Sequence, residues 1–426
     1  MFRLATTRSV FNLVCAWVTV LGAGGAAGSA LGQVVPNDPR FHQQWGLEVV
    51  EAPLAWEITT GSTEVVVAVI DSGIDYTHPD LYLNIWVNQE EIPPAISAQL
   101  TDVDGDGLIT FWDLNDAANQ GPGTITDLNG NGYIDGGDLL RPAVEGGWAD
   151  GLDNGGNGFV DDLIGWDFLD NDNDPMDLDQ IGHGTAVAGI IGAVGNNGEG
   201  VTGINWQVQM MPLGTRPGVV DPGGLDEVLG ATVEAGSYAL DNGARIVNIS
   251  GAAPEALVPP DLIAAVNAWF EEAAAQGVLV VVAAGNNGRD TDLVRALQSA
   301  TPHDNVVVVA ATFRQQDRLA FFGEFWASNF GATTVDLGAP GDYLWSTSPL
   351  SAPGIPYAGT FGGTSGATPF VTGAAALILS VNPNLTYAEV NSLILDNVDP
   401  VDDLQGLMVT GGRLNIFNAL NGTPAP

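Results

Sequence analysis

Apolar residues in this chain fall into short continuous runs separated by stretches rich in glycine and aspartate. Four runs are dominated by valine, isoleucine and alanine, Glu64 to Ile70, Arg245 to Ile249, Val278 to Ala283 and Val306 to Ala311, and Thr333 to Leu337 adds a fifth that is rich in threonine. Their β-branched character predicts strands, and the lack of polar alternation predicts burial on both faces, as in a parallel sheet. Longer apolar segments at Thr185 to Ala193, Pro260 to Ala275, Thr364 to Ser380 and Thr386 to Asp396 read as helices, the last set off by Pro383. Pro36 to Trp56 reads as a loop-and-helix stretch. Strand–helix alternation of this kind predicts an α/β, doubly wound and mainly parallel sheet with helices on both faces. No solenoid period and no appended C-terminal domain is visible.

Composition narrows the picture. The chain has 426 residues and 45% hydrophobic content, enough for one large domain or two small ones with a sizeable core. Its 51 acids against 11 bases give a formal charge of -40, and every base is arginine. Such acidity argues against nucleic-acid partners and against binding to anionic membranes. It fits calcium binding or a salty medium. Arg3 and Arg8 followed by the apolar run Leu13 to Leu21 and small residues predict a secretory signal over residues 1–32, with cleavage after Ala30 or Gly32. The apolar run is too short to span a bilayer. The single cysteine, Cys15, lies inside this segment, so a secreted, cysteine-free protein is expected, with no membrane attachment after cleavage.

Between Thr101 and Gln180 stand 18 Asp, one Glu and one Arg. The aspartates are patterned. Asp102, Asp104, Asp106, Thr110 and Asp113 occupy positions 1, 3, 5, 9 and 12 of a calcium loop, with Leu108 offering its carbonyl at position 7. Asp127, Asn129, Asn131, Tyr133, Asp135 and Asp138 repeat the pattern. Position 6 is Gly in both, as the sharp turn requires, and position 8 is Ile in both. With Asp at position 12 the loops resemble the dockerin type more than sensor EF-hands. A third segment, Asp153 to Ile164, is a degraded copy, because Gly155 and Ile164 supply no side-chain oxygen. Bound Ca²⁺ is the cofactor this pattern implies; the alternative is a solvated acidic loop.

Three further segments carry an Asp, a His and a Ser, the set that turns a weak hydroxyl into an attacking group. Asp71 ends the first strand run in Asp-Ser-Gly, His183 lies in Gly-His-Gly-Thr ahead of a helix, and Ser365 lies in Gly-Thr-Ser-Gly-Ala-Thr-Pro at another helix start. Together with Ala283-Ala284-Gly285-Asn286, these motifs resemble those of the subtilisin-like serine peptidases, over roughly Pro36 to Leu420. The resemblance implies a peptidase domain over residues 33–424, and, because the family's Asp and His motifs usually stand much closer than Asp71 and His183 do, an Asp-rich calcium-loop insertion over residues 90–165 within it. It implies Ser365 as nucleophile, His183 as base, Asp71 as the residue orienting the imidazole and Asn286 as an oxyanion donor. It also implies Ser250, Gly251, Ala252, Ala283 and Gly285 along the substrate, and Asp80 and Asn197 at a structural calcium. Two positions depart from the family pattern: Gly366 where Met is common and Ala186 where a second His is common.

The expected protein is therefore a secreted, calcium-stabilised, monomeric serine endopeptidase acting on proteins or peptides. A sedolisin-like carboxyl peptidase would need a Glu as base, and His183 argues against it. A catalytically inactive fold serving as a calcium-dependent binding module is the alternative. Relatives often carry a folding pro-domain. Only 38 positions separate Gln33 from Asp71, so maturation without a separate pro-domain is expected.

Overall fold

A computed structural model describes residues 32–179, 181–215, 224–294, 303–314, 319–320, 327–351 and 356–426. The predicted signal segment lies outside the described residues, apart from Gly32. The rest is built on one sheet of nine described strands: β1 Gly61–Asp71, β2 Trp166–Asp167, β3 Gln207–Gly214, β4 Ile246–Ile249, β5 Leu279–Ala283, β6 Val306–Thr312, β7 Leu337–Pro340, and, beyond the hairpin β8 Leu344–Thr347 and β9 Tyr357–Phe361, the short β10 Asp399–Pro400 and β11 Gly412–Arg413. Their spatial order is β10-β11-β7-β6-β5-β4-β1-β3-β2, with β8 and β9 forming a separate antiparallel pair. Every pairing in the large sheet is parallel except β10 with β11.

The continuous apolar runs reflect this placement. Val67, Val69, Val281, Val307 and Val309 face one helical layer while Ala68, Val247, Val280 and Val282 face the other, and all are essentially buried. The five longest helices among the described residues are α1 His183–Gly192, α2 Leu225–Asp241, α3 Pro260–Ala275, α4 Thr364–Val381 and α5 Tyr387–Leu395. Among the described residues α4 alone is long and apolar enough to cross a membrane, yet 83% of it is buried inside the domain, where it is the core helix.

Several elements depart from the sequence reading, among them helix α2 and the β8–β9 hairpin, which it did not contain. The strand expected at Thr333 to Leu337 begins only at Leu337, because the Asp336 carboxylate accepts the Val308 amide at 2.7 Å, and the ladder starts beyond it. Strand β3 was not expected at all, since Pro212 interrupts its run and two glutamines dilute it. Pro212 is tolerated because only the two-residue β2 lies on its outer side.

The acidic stretch is anchored by its own apolar residues. Phe111, Leu114, Ile125, Ile134, Leu139, Trp148, Leu163 and Ile164 are all buried and join the main core. Tyr133 stacks on Tyr82 at 4.1 Å and donates to the Thr77 carbonyl at 2.7 Å. This acidic stretch is therefore packed onto the segment after Asp71.

Candidate active site and acidic loops

Parallel strands put all their carboxyl ends on one edge. Register aligns Ile70 with Ile249 and Ile249 with Val282, so Asp71, Ser250 and Ala283 end side by side at a crevice. Helices α1 and α4 begin at the same edge, each with its first amides free of intrahelical acceptors. Here His183 Nδ1 lies 2.7 Å from Asp71 Oδ1. Asp71 Oδ1 also accepts the Ser72 amide at 2.8 Å. The carboxylate is buried, with 1% of its side chain exposed, whereas the His183 side chain keeps 14%. With Nδ1 engaged, His183 presents Nε2 outward.

Close seating of α1 requires glycine beside His183. A Cβ on Gly184 would stand 2.1 Å from the Gly73 carbonyl oxygen. A second buried carboxylate lies beneath this junction: Asp177 accepts the Ser72 hydroxyl at 3.0 Å, and the Thr185 amide and hydroxyl at 2.9 and 2.6 Å. Burial pushes the Asp177 carboxyl up to about 6. Sequence reading missed Asp177, which is one aspartate among 18 in its stretch.

Ser365 is the second residue of α4. Its hydroxyl donates to the Ser250 carbonyl at 2.8 Å, and the Ser250 hydroxyl donates back to the Ser365 carbonyl at 3.1 Å. That carbonyl is free because Pro369, four residues on, has no amide to offer it. The Ser250 side chain is thus turned into the domain, and it also receives Asn248 Nδ2 at 3.0 Å. Gly251 has open space where a side chain would project, and Ala252 approaches Gly285. Asn286 Oδ1 accepts the Thr364 amide at 2.9 Å, which leaves Nδ2 available to donate beside Ser365. The His183 ring packs edge-on to Phe361 at 5.3 Å, and Phe361 in turn lies next to Gly366. At Gly366 the space a Cβ would take is filled by a Leu344 methyl, 2.7 Å away. The structure thus gathers the four motifs around one crevice.

The sequence profile of the subtilase family (peptidase S8) matches residues 62–413. The chain belongs to the subtilase family. This subtilase is 31% identical over 389 residues to a thermophilic serine proteinase of Bacillus sp. strain AK1, covering 90% of this chain and 69% of that protein. It is 29% identical over 402 residues to subtilisin-like protease 1 of Plasmodium berghei, covering 90% of this chain and 54% of the relative. The subtilase thus spans about half the length of the Plasmodium relatives it matches. A solved structure of a protease from Pseudoalteromonas arctica aligns with a TM-score of 0.57 at 24% identity, covering 91% of this chain and 99% of that one. This likeness shows the subtilisin-like α/β fold.

In this subtilase the acidic loops between residues 102 and 164 share one backbone shape. Asp102 accepts the amides of Gly105 and Gly107, and Asp127 those of Gly130 and Gly132. Gly105 and Gly130 have φ of 79° and 77°, the left-handed turn that only glycine adopts cheaply. Thr110 and Asp135 cap short helices, and Asp113 and Asp138 reach back to the loop starts at Val103 and Leu128. Carboxylate oxygens of Asp102, Asp104 and Asp106 lie within 4.8 Å of one another. Two oxygens on one Ca²⁺, each at about 2.4 Å, stand at most ~4.8 Å apart, so the spacing fits that ion. In the second loop Asn131 and Asn129 donate to Asp135 at 2.6 and 3.0 Å. The third loop holds the same turn, with Asp153 accepting from Gly156 and Gly158. There Glu91 supplies the carboxylate that Ile164 cannot, accepting the Gly155 and Asp161 amides, each at 2.8 Å. Separately, buried Asp80 takes Asn197 Nδ2 at 2.7 Å, and Asp38 takes the Asn196 amide beside it.

Proposed function

We propose that this subtilase is a secreted, calcium-stabilised serine endopeptidase that hydrolyses peptide bonds in proteins or peptides. The observation that carries the reading is the 2.7 Å contact between His183 and Asp71 at a crevice that also holds Ser365 and Asn286. The names of the relatives, a serine proteinase and a subtilisin-like protease, point the same way. An extracellular protease of Xanthomonas campestris, 31% identical over 377 residues, supports secretion, as does the predicted signal segment.

In this reading the Ser365 hydroxyl turns from the Ser250 carbonyl toward His183 Nε2, which takes its proton as Oγ attacks the scissile carbonyl. Asp71 holds the imidazole tautomer and stabilises its positive charge. The tetrahedral oxyanion meets the Ser365 backbone amide, at the positive end of α4, and Asn286 Nδ2. His183 then gives the proton to the leaving amine, and water hydrolyses the acyl-Ser365 ester by the same base. Gly251, Ala252, Ala283 and Gly285 border the crevice and flank the substrate chain. Asp102, Asp104, Asp106, Asp113 and the Leu108 carbonyl would hold one Ca²⁺. Asp127, Asn129, Asn131, Asp135, Asp138 and the Tyr133 carbonyl would hold another, within an insertion over residues 90–165. The ion neutralises crowded carboxylates and stabilises the folded chain.

A serine-directed phosphonofluoridate should label Ser365 in the wild type, and Ser365→Ala should remove both labelling and peptidase activity while the fold survives. An unlabelled, inactive wild type that binds partners only with calcium would favour the binding-module alternative.

A further inference from the structure

The Asp71 and His183 segments are held together by a crossed set of hydrogen bonds with one carboxylate at its centre. Ser72, next to Asp71, accepts the Gly184 amide from α1 at 2.9 Å and donates its hydroxyl proton to Asp177 Oδ1 at 3.0 Å. Thr185, two residues after His183, accepts the Asp75 amide from the other segment at 3.0 Å and donates its proton to Asp177 Oδ2 at 2.6 Å. Each hydroxyl therefore bridges from its own segment to an amide of the opposite one. Each can accept that amide with the right lone pair only because its proton has a fixed destination on Asp177. Asp177 also receives the Thr185 and Asp179 amides, at 2.9 and 3.1 Å. Asp177, Ser72 and Thr185 are all buried, at 0%, 6% and 0% exposure.

From this geometry we infer that Asp177 is a positioning residue for the reaction, setting the register of α1 against the end of β1 and so the His183–Asp71 contact. It touches neither substrate nor reacting atoms. It acts through Ser72 and Thr185, and its role rests on the peptidase function proposed for this crevice. A neutral amide in its place can accept one hydroxyl proton but not both; its oxygen should face the closer Thr185 donors, at 2.9 and 2.6 Å, so an isosteric change opens the Ser72 arm of the clasp. General-base geometry tolerates little error, since displacements near 1 Å cost about 10²-fold.

The test uses the full-length protein with Asp177→Asn, Ser72→Ala and the double variant, each normalised by active-site titration. Asp177→Asn should lower kcat on a peptide substrate by about 10- to 100-fold with KM within about twofold, because the substrate crevice is untouched. The low-field imidazole proton of His183 bonded to Asp71 should broaden or shift in the NMR spectrum. The double variant should lose little more than Asp177→Asn alone, since both changes open the same arm. Should Asp177→Asn fail to fold, Ser72→Ala decides, because it leaves the Thr185 arm intact. An unchanged kcat per titrated site, with only a lower melting temperature, overturns the inference, and so do additive losses in the double variant. An inactive wild type with no label on Ser365 sinks the peptidase reading itself; an active wild type with an indifferent Asp177 sinks the clasp alone.

Discussion

Ser250 and Ser365 exchange hydrogen bonds in both directions, hydroxyl to carbonyl at 2.8 Å one way and 3.1 Å the other. The pair ties the end of β4 to the first turn of α4 at the one carbonyl that Pro369 leaves without a helical amide. Ser250→Ala strands two buried groups, the Ser365 carbonyl and Asn248 Nδ2. It should cost about 1–3 kcal/mol in denaturant unfolding, the usual effect of leaving buried partners unmade. Ser250→Thr, which keeps the hydroxyl, should recover most of it. Equal stability of Ser250→Ala and wild type would mean that water replaces the hydroxyl.

Asn286 is oriented by the Thr364 amide on its Oδ1, which aims Nδ2 beside Ser365. Asn286→Ala should lower turnover by about 10²–10³ with little change in KM, the loss expected for one oxyanion donor. Steady-state kinetics on a peptide ester and an amide would measure it. An unchanged rate would reduce Asn286 to a turn residue that braces Thr364.

The parallel sheet and the crevice motifs were legible because each depends on local pattern: valine runs for buried strands, and glycines where helices start at the sheet edge. Glycines such as Gly184 announce themselves in sequence because a backbone lies where a Cβ would be. What stayed hidden depends on contacts between distant segments. Asp177 looks like any other aspartate of the acidic stretch until Ser72, 105 residues away, is brought onto it. Glu91 takes from outside the loop the amide hydrogen bonds that position 12 takes in the other two loops, and no spacing rule within residues 153–164 could reveal it. Strand β3 was hidden by Pro212, whose cost vanishes at its position near the sheet edge.

Calcium removal should be felt at the active-site crevice. Asp102, Asp104 and Asp106 crowd like charges within 4.8 Å, and the insertion that carries them packs on the segment between Asp71 and Asp80. A chelator should lower the melting temperature, and added Ca²⁺ should restore it far better than Mg²⁺, which resists dehydration. Differential scanning calorimetry with and without chelator provides the check, and superimposable traces would remove calcium from the account.

Acidification of the chelated protein should stabilise it, against the usual behaviour of paired carboxylates. Glu91 and Asp177 are buried, at 1% and 0% exposure, and burial pushes their carboxyls up to about 7 and about 6. Both hold a proton more tightly folded than unfolded, so the folded state binds more protons over this range and stability falls as pH rises. Their contribution is complete below the unfolded values of 4.5 and 3.8, and it is lost as pH climbs through about 6 for Asp177 and about 7 for Glu91. Mutual repulsion in a chain of net charge -40 acts in the same direction. Melting temperatures in chelator should therefore rise from pH 8 to pH 5, in steps of roughly a few degrees for each ~1 kcal/mol regained. Glu91→Gln removes one of the two titrations, so its curve should flatten between about pH 6 and pH 7, where Glu91 alone titrates, while the Asp177 portion below about pH 6 persists. A chelated wild type that loses stability steadily over the same range, or a Glu91→Gln curve parallel to wild type, would show that these two carboxylates are ionised in the folded chain at no cost.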